Sequence, residues 1–320
     1  MRLFIVSCGT RNQLTRFFKS EPLTEWVVAA DCSPYAPALY EADAFYIVPR
    51  MTEPEYLPTI LDICKKEKLD TILPLQEDEL MLMAEHRELF EREGITLLVS
   101  APDAVELCRD KYQFFRYLKE QKLPCLPTWQ NLEDFRRDYA RGNASFPVFV
   151  KPTRGCGSIG ISRVDSMELL EVLDKYSEEP LLIQEFCRGE EFGADIYVDM
   201  LDGGCKAIFV KRKLRMRAGE TEKALSYKND ELFQLIQRTV EGLALRGPLD
   251  MDIFQMDGKF YISEINPRFG GGYPHAYGCG VNFPQLIANN RHGKINESQI
   301  GNYEENLCMM KYQDSMIRRI

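Results

Sequence analysis

The sequence predicts an α/β domain with a parallel sheet, followed by an α+β half with antiparallel sheet. Two observations support this prediction. Short β-rich runs alternate with helical patterns up to about residue 100, whereas from about residue 109 the strands follow one another as hairpins. No repeat or low-complexity tract is present in either half. We therefore divide the chain into residues 1–108 and 109–320.

The first domain is expected to contain five strands joined by helices, as in parallel βαβ units. The strands are expected at residues 3–7, 26–30, 44–48, 71–75 and 96–99. The helices between them are expected at about 12–19, 55–67 and 77–93. Ser100 offers an N-cap, and Pro102 an early proline, for the next helix.

The second half begins with an amphipathic helix over 111–121, which two prolines at 124 and 127 bring to an end. Strands are expected at 148–151, 159–164, 181–185, 194–199, 207–217, 251–256 and 259–265. Two further helices are expected at 166–175 and 230–245. Because neighbouring strands are close in sequence, we expect an antiparallel sheet.

Composition excludes several classes of protein. The 320 residues include 49 acidic and 40 basic ones, and the resulting charge of −9 argues against nucleic acid as a partner. No run of 18 apolar residues occurs, so we expect no membrane contact. Ten cysteines without a C-x-x-C pair predict reduced thiols in a cytoplasmic protein. With three scattered histidines, any metal should prefer oxygen ligands.

A glycine-rich segment lies between two expected strands. Residues 155–160 fit the G-x-G-x-x-G pattern of dinucleotide-binding folds. That pattern requires a strand leading into a helix, whereas this segment joins a strand to a strand. The topology favours a flap whose backbone N–H groups close over a triphosphate, with Lys151 on the entering strand placed to contact phosphate. An ordinary glycine-rich hairpin with a surface lysine is the alternative.

Oxygen ligands for a metal are expected on the last expected hairpin. Glu264 and Asn266 share one face of a strand, and Asp252 lies on the preceding strand. A regular two-residue turn at Asp257 and Gly258 would put Asp252 on the opposite face. The metal hypothesis therefore predicts a three-residue loop or a bulge. Acidic residues on a solvated strand are the alternative.

A possible adenine-binding hinge follows the strand at 181–185. This apolar strand ends in Gln-Glu-Phe-Cys, and Gly-Glu-Glu follows at residues 189–191. Backbone groups released at such a hinge can bind an adenine edge, and an acidic residue beyond the glycine can accept hydrogen bonds from ribose hydroxyls. A strand that simply ends in an acidic turn is the alternative.

A basic strand provides a further candidate site. If residues 211–217 are extended, Lys211, Lys213, Arg215 and Arg217 line one face. Four cations on one strand repel one another unless an anion such as a phosphate or carboxylate lies across them. A solvated edge strand protected by its charge is the alternative.

The segment 270–278 combines four glycines with polar rings. Glycine permits close approach to a ligand, and Tyr273, His275 and Tyr277 could face one. We assign Tyr273 and His275, together with Arg215, to substrate binding. A histidine that is satisfied within its own loop is the alternative for His275.

In this order, the segments resemble the ATP-grasp superfamily, in particular the carbamoyl phosphate synthetase-like carboxylate-amine ligases. The motifs are Asp-Lys at 110–111, Val-Lys-Pro at 150–152, the flap, the hinge, and Ser-Glu-Ile-Asn-Pro-Arg at 263–268. The resemblance implies a Rossmann-like pre-ATP-grasp α/β domain over 1–108 and a two-lobed α+β ATP-grasp domain over 109–320. The lobe at 109–185 would carry the flap, and the lobe at 186–320 the metal site.

The resemblance also implies roles for individual residues. Asp252, Glu264 and Asn266 would bind Mg²⁺, with Mn²⁺ as a substitute, and Lys151, Arg268 and Arg217 would be the catalytic cations. Asp252 stands where carbamoyl phosphate synthetases carry glutamine, which favours a ligase. The residues assigned to ATP are Lys111, Lys151, Gly155, Gly157, Ser158, Gln184, Glu185, Cys187 and Glu191.

The implied reaction activates a small-molecule carboxylate as an acyl phosphate and joins it to an amine, releasing ADP and phosphate. We expect no nucleic-acid partner, and a homodimer is compatible with the resemblance. Three alternatives remain: a phosphotransferase with a hydroxyl acceptor, a nucleotide-dependent oxidoreductase, and a catalytically idle ATP-binding module.

Overall fold

The first domain is built on a five-stranded parallel sheet. The computed structural model describes residues 1–155 and 162–319. The strand order is β3-β2-β1-β4-β5, and every pairing is parallel. The strands are β1 (Arg2–Val6), β2 (Trp26–Asp31), β3 (Ala44–Ile47), β4 (Thr71–Pro74) and β5 (Thr96–Leu97). The predicted α/β fold class is confirmed for this domain.

Helices connect these strands, as the alternating pattern predicts. The helices are α1 (Asn12–Lys19), α2 (Tyr56–Glu67), α3 (Glu77–Glu85), α4 (Arg87–Glu91) and α5 (Pro102–Arg109), with a 3₁₀ helix at Pro37–Glu41. The prediction of a single helix over 77–93 is wrong. The backbone of His86, with φ −104° and ψ 20°, leaves the helical region, and this residue separates α3 from α4.

A four-stranded antiparallel sheet forms the first lobe of the second half. Its order is β6-β9-β7-β8. Its elements are α6 (Lys111–Glu120), β6 (Thr128–Trp129), α7 (Leu132–Ala140), β7 (Val148–Pro152), β8 (Ser162–Val164), α8 (Met167–Tyr176) and β9 (Leu181–Glu185). A separate small core lies between this sheet and α7 and α8.

A six-stranded antiparallel sheet forms the second lobe, in the order β14-β13-β10-β11-β12-β15. Its strands are β10 (Glu190–Val198), β11 (Cys205–Arg217), β12 (Glu220–Tyr227), β13 (Gly247–Met256), β14 (Lys259–Asn266) and β15 (Cys308–Met310). Its helices are α9 (Asp230–Glu241), α10 (Tyr273–Gly278) and α11 (Phe283–Arg291).

The largest hydrophobic core joins the first domain to the six-stranded sheet. It combines Leu3 and Phe18 with Phe209 and Met251, all of which are buried. The first domain therefore packs directly on the sheet that carries the predicted metal ligands. Among the described residues, no helix is both long and apolar enough to cross a membrane, and the nine described cysteines are free thiols.

Candidate active site

The hairpin of β13 and β14 carries the predicted metal ligands. Its turn is the two-residue turn at Asp257 and Gly258, both with positive φ. The register shifts between residues 252 and 253, because Ser263 is an extra residue on β14. Asp252 consequently lies directly opposite Glu264. The structure thus contains the bulge that the metal hypothesis requires.

Two carboxylates and an amide oxygen therefore share one face of this hairpin. Asn266 follows Glu264 by two residues, and it lies opposite Asp250. Within residues 1–155 and 162–319, no three acidic, histidine or cysteine side chains are grouped closely enough to hold a metal ion by themselves. Mg²⁺ uses few protein ligands and shares its other positions with water and phosphate oxygens. Two carboxylates and an amide, Asp252, Glu264 and Asn266, fit that requirement.

Asp252 is held by a lysine from the neighbouring part of the sheet. Lys213 Nζ donates to Asp252 Oδ1 at 2.6 Å and to Glu191 Oε1 at 2.7 Å, and the lysine side chain is only 5% exposed. Burial disfavours the ammonium, yet the two carboxylates outweigh it and raise the pKa of Lys213. Burial is also the main cause that raises the pKa of Asp252 to about 7, and the Asp250 and Glu264 charges add to it. A further cation would relieve this concentration of negative charge.

Lys151 lies on β7, at the start of the flap. Its Nζ donates to Gln184 Oε1 at 3.1 Å, and Gln184 Nε2 donates to Thr128 Oγ1 at 3.0 Å. Lys151 is 7% exposed, and burial lowers its pKa, with the nearby Glu264 opposing the shift. The structure therefore places a buried ammonium within electrostatic range of the hairpin of β13 and β14, which we call the metal hairpin after its predicted ligands.

Lys111 is presented by the first turn of α6. Asp110 caps this helix, because its Oδ1 accepts from the N–H groups of Tyr112 and Gln113 at 3.1 and 3.0 Å. Lys111 Nζ donates to the carbonyl of Gly155 at 2.5 Å, where the flap begins. The predicted ligands Gly157 and Ser158 lie at 156–161, outside the described residues.

The hinge joins the two lobes where β9 ends. Glu185 is the last residue of β9, and Cys187 is buried, with its Sγ accepting from the Gly189 N–H at 3.4 Å. A Cβ built on Gly189 would lie 1.6 Å from the carbonyl oxygen of Gln255 on β13. No side chain fits there, so this glycine permits the close approach of the hinge to the metal hairpin. Adenine binding at the hinge stays a prediction.

Arg268 connects the metal hairpin to the first domain. Its guanidinium lies 3.3 Å from Glu77 Oε1 at the start of α3, and 3.4 Å from Asp250 Oδ2 on β13. The Arg268 side chain is 13% exposed. The motif resemblance indicates Arg268, but the sequence alone does not indicate these two carboxylate partners. Glu77 belongs to another domain, and Asp250 faces the site only because of the strand register.

The prediction that the four cations of β11 share one face is wrong beyond Lys213. Register shifts on both sides of Arg215 interrupt the alternation. Met216 consequently borders the interdomain cleft described below, while Arg215 and Arg217 are 64% and 60% exposed and pair with Glu222. Their catalytic and substrate roles stay predictions, which this placement does not support.

Tyr273 and His275 point into the protein core. The Tyr273 hydroxyl donates to the carbonyl of Val281 at 3.1 Å and accepts from the Phe283 N–H at 2.7 Å. His275 Nε2 lies 3.0 Å from the carbonyl oxygen of Leu307, and burial lowers the pKa of His275 to about 4. Both side chains serve packing in this structure, which does not support their predicted contact with a substrate.

An interdomain cleft of about 180 Å³ lies between the first domain and the six-stranded sheet. Loops that follow β1 and β4 form one side, and strands β11 to β13 with the glycines at 271–272 form the other. Its charged lining is balanced, with four basic and four acidic side chains: Arg11, Lys211, Lys213, Arg268, Glu77, Glu220, Asp250 and Asp252.

Two family models match the chain. The PylC-like N-terminal domain matches residues 3–98, and the ATP-grasp domain matches residues 108–272. The second match extends over more than half of the 320 residues. The chain belongs to the ATP-grasp family. The predicted succession of a Rossmann-like α/β domain and an ATP-grasp domain is confirmed.

Curated relatives include large chains of carbamoyl phosphate synthase. The arginine-specific large chain of Geobacillus stearothermophilus is 25% identical over 227 residues, which are 68% of this chain and 21% of that protein. The large chain of Thermoplasma acidophilum is 23% identical over 246 residues, 71% of this chain and 23% of that protein. The matches thus cover about a fifth of the length of these relatives.

Solved structures with the same fold include several ATP-grasp enzymes. N5-carboxyaminoimidazole synthetase from Staphylococcus aureus, complexed with ADP, superposes with a TM-score of 0.75 at 16% identity, over 93% of this chain and 78% of that one. The biotin carboxylase domain of Hydrogenobacter thermophilus 2-oxoglutarate carboxylase superposes with a TM-score of 0.75 at 17% identity, over 96% of this chain and 73% of that one. L-amino acid ligase from Bacillus licheniformis superposes with a TM-score of 0.68 at 20% identity, over 90% of this chain and 73% of that one.

Proposed function

We propose that this protein is an ATP-dependent carboxylate-amine ligase. In the proposed reaction, a carboxylate oxygen of a small molecule attacks the γ-phosphorus of ATP, and the bond to the ADP oxygen breaks. An amine nitrogen then attacks the acyl carbon of the acyl phosphate, releases phosphate and loses a proton. One observation carries the proposal: a buried ammonium, Lys151, lies within electrostatic range of the facing carboxylates Asp252 and Glu264.

The donor set fits Mg²⁺, with Mn²⁺ as a substitute. Asp252, Glu264 and Asn266 would hold the ion, which when bound neutralises charge on the phosphate oxygens. Lys213 pairs with both Asp252 and Glu191, and it would therefore connect the proposed metal ligands to an acidic residue assigned to ATP.

Basic side chains would orient the phosphates. Lys151 lies on the strand before the flap and Lys111 donates to the carbonyl of Gly155, and both would bind phosphate oxygens as fixed positive charges. Arg268 would stabilise the transferred group while Glu77 and Asp250 hold its guanidinium in position. Gln184, Glu185 and Cys187 at the hinge would bind the adenine.

Similar proteins support this proposal. The solved structures of the same fold are named as a synthetase, a carboxylase domain and a ligase, and two of them were solved with ADP. The carboxylase structure also contains magnesium and bicarbonate. These names support ATP-dependent chemistry on a carboxylate.

Turnover of ATP tests the proposal. ADP release would be measured with Mg²⁺ and ATP against a panel of small carboxylates and amines, added singly and in pairs, with mass detection of products. We expect ADP release that requires a carboxylate, and an amide product when an amine is also present. ADP with a phosphorylated alcohol would indicate the phosphotransferase alternative. Failure of every combination would contradict the ligase assignment.

A further inference from the structure

A lysine of the six-stranded sheet is bonded directly to one of the predicted metal ligands. Lys213 on β11 reaches across β10 to β13, where its Nζ donates to Asp252 Oδ1 at 2.6 Å. The same Nζ donates to Glu191 Oε1 at 2.7 Å, and the lysine side chain is 5% exposed. The chain thus places a positive charge of its own at the carboxylate where the metal ion is expected.

A glycine on β10 leaves the path that this lysine follows. Gly193 lies opposite Lys211 on one neighbouring strand and opposite Asp252 on the other. A Cβ built on Gly193 would lie 3.1 Å from Lys213 Cε and 3.1 Å from Lys211 Cε, closer than ordinary van der Waals contact. The φ of Gly193 is outside the left-handed region, so the backbone does not require glycine there. The close approach of the two lysine side chains explains this glycine in the interior of a strand.

The two lysines beside Gly193 have different carboxylate partners. Lys211 Nζ donates to Asp195, and both of these side chains are 1% exposed. Lys213 instead joins two carboxylates that solvent reaches, since Glu191 is 32% exposed and Asp252 is 27% exposed. The charge of Lys213 therefore acts at a carboxylate that a cation from solvent can approach.

This ammonium has opposite effects on a free metal ion and on a metal ion carried by a nucleotide. A free divalent cation at Asp252 and Glu264 is repelled by Lys213 at short range. A divalent cation bound to a triphosphate arrives with a net negative charge, which the same ammonium attracts. Specificity is a difference between two affinities, and a charge that opposes the wrong ligand increases it.

We propose that Lys213, placed by Gly193, makes the metal site selective for a metal–nucleotide complex over the free metal ion. Lys213 is a specificity-determining residue in this role, and Gly193 is a positioning residue that acts through it. This inference rests on the proposed function and its metal ligands, and it adds the residues that determine in which form the metal binds.

Binding of free Mn²⁺ tests the inference without turnover. Mn²⁺ would be titrated into the nucleotide-free full chain, and the unbound ion measured by electron paramagnetic resonance. Lys213→Met removes the charge and keeps an unbranched side chain, and it is expected to raise the affinity for free Mn²⁺ by at least about 10-fold. Lys213→Arg keeps the charge and should retain the weak Mn²⁺ binding of the natural chain.

Arg212→Gln is the matched control for the loss of charge. Arg212 is the preceding residue on β11, and it pairs with Glu190; these two side chains are 39% and 54% exposed. Its substitution changes the net charge by the same amount as Lys213→Met. Because exposed charges are screened by salt, Arg212→Gln should leave Mn²⁺ affinity within about 2-fold of the natural chain. Thermal unfolding of each variant verifies its fold.

Gly193 provides an independent variant. Gly193→Ala places a methyl group against the aliphatic part of Lys213 and should move the ammonium away from Asp252, so that Mn²⁺ affinity rises, by less than in Lys213→Met. The double variant should match Lys213→Met, because the glycine acts through the lysine. Gly278→Ala is the control, because no atom lies within 4 Å of a Cβ built there.

A companion measurement determines the selectivity itself. The Mn²⁺ complex of a non-hydrolysable ATP analogue would be titrated into each protein by calorimetry. We expect the natural chain to bind this complex although it binds free Mn²⁺ weakly. The ratio of the two affinities should fall by at least about 10-fold in Lys213→Met.

The outcomes separate this inference from the ligase assignment. Free Mn²⁺ affinity that is equal or lower in Lys213→Met overturns the inference, and so does an increase that Arg212→Gln shares. If Lys213→Met does not fold, an unchanged affinity of Gly193→Ala overturns it. In each of these cases, ADP release that requires a carboxylate would still support a ligase. Failure of the natural chain to bind the nucleotide complex would instead contradict the proposed function.

Discussion

At the scale of single residues, the site combines a compensated group of buried charges with one buried ammonium whose hydrogen-bond partner is uncharged. Lys213 joins Asp252 to Glu191, and Lys151 is satisfied by the uncharged Gln184. Burial lowers the pKa of Lys151, because the ammonium has lost most of its hydration. An anionic ligand such as a phosphate would provide the counter-charge that Gln184 does not.

Removing the charge of one predicted metal ligand should sharply lower ATP turnover and preserve the fold. Glu264→Gln is expected to lower ATP turnover by at least about 10²-fold, the scale of losing one group that stabilises charge in the transition state. Glu231→Gln, at an exposed position on α9, is the control and should retain turnover. Steady-state ADP release, with thermal unfolding of each variant, provides the measurement. Near-normal turnover of Glu264→Gln would refute the metal assignment.

His275 should make the protein less stable in acid. Burial lowers its pKa to about 4, and the positive charge of Lys211 contributes, whereas the ordinary pKa of histidine, expected in an unfolded chain, is about 6.5. Between these values the unfolded state binds more protons, so stability rises with pH and is lost as pH falls from 6.5 towards 4. His275→Leu should unfold with a shallower dependence on pH over this range than the natural chain.

The control for this prediction is His292→Gln, because His292 is exposed. Thermal unfolding midpoints measured from pH 4 to 7 compare the three proteins. Parallel curves for the natural chain and His275→Leu would show that His275 does not cause the dependence.

At the scale of elements, caps and register position the charged groups. The N-cap of α6 fixes the helix turn that carries Lys111, and the bulge at Ser263 aligns Asp252 with Glu264. Both are local features of the backbone that act on groups distant in sequence.

Loss of the cap of α6 should affect both stability and ATP binding. Asp110→Ala leaves two backbone N–H groups without their acceptor and is expected to cost about 1 kcal/mol of unfolding free energy. Because Lys111 is the next residue, the KM for ATP should also rise. Asn131→Ala removes the corresponding cap of α7 and should cost similar stability with an unchanged KM. Equal KM values for both variants would contradict a role of α6 in ATP binding.

The sequence predicts the local elements better than the contacts between distant segments. The alternation of strands and helices in the first domain, and the requirement for either a three-residue loop or a bulge in the hairpin of Asp252 and Glu264, follow from local patterns. Glu77 could not be predicted as a partner of Arg268, because 191 residues separate them and only tertiary packing brings them together. The predicted face of the strand for Arg215 is also wrong, because a simple two-residue alternation does not reveal a bulge.

At the scale of the whole molecule, the charge of −9 conceals a cleft with balanced charge. Two ion pairs cross this cleft, Arg268 with Glu77 and Arg11 with Glu220, and both halves also contribute to one hydrophobic core. The first domain is therefore part of the site rather than a separate module. The cytoplasmic location and the homodimer stay predictions.

Breaking the contact between the halves should lower both stability and activity. Glu77→Gln removes a carboxylate that is 12% exposed and leaves the guanidinium of Arg268 with one carboxylate fewer. We expect a loss of at least about 1 kcal/mol in unfolding free energy, since breaking a mostly buried pair is costly, together with a lower kcat. Glu88→Gln, from an exposed pair with Arg92, should change neither quantity measurably. Equal unfolding curves for both variants would contradict the contact between the halves.

The central claim is that a carboxylate oxygen attacks ATP, and transfer of an oxygen isotope tests it most directly. The carboxylate identified by the ADP-release screen would be labelled with ¹⁸O in both oxygens, and the released phosphate analysed by mass spectrometry. The proposed acyl phosphate predicts one ¹⁸O atom in each phosphate released with an amide product. Phosphate without ¹⁸O, at full ADP release, would contradict it.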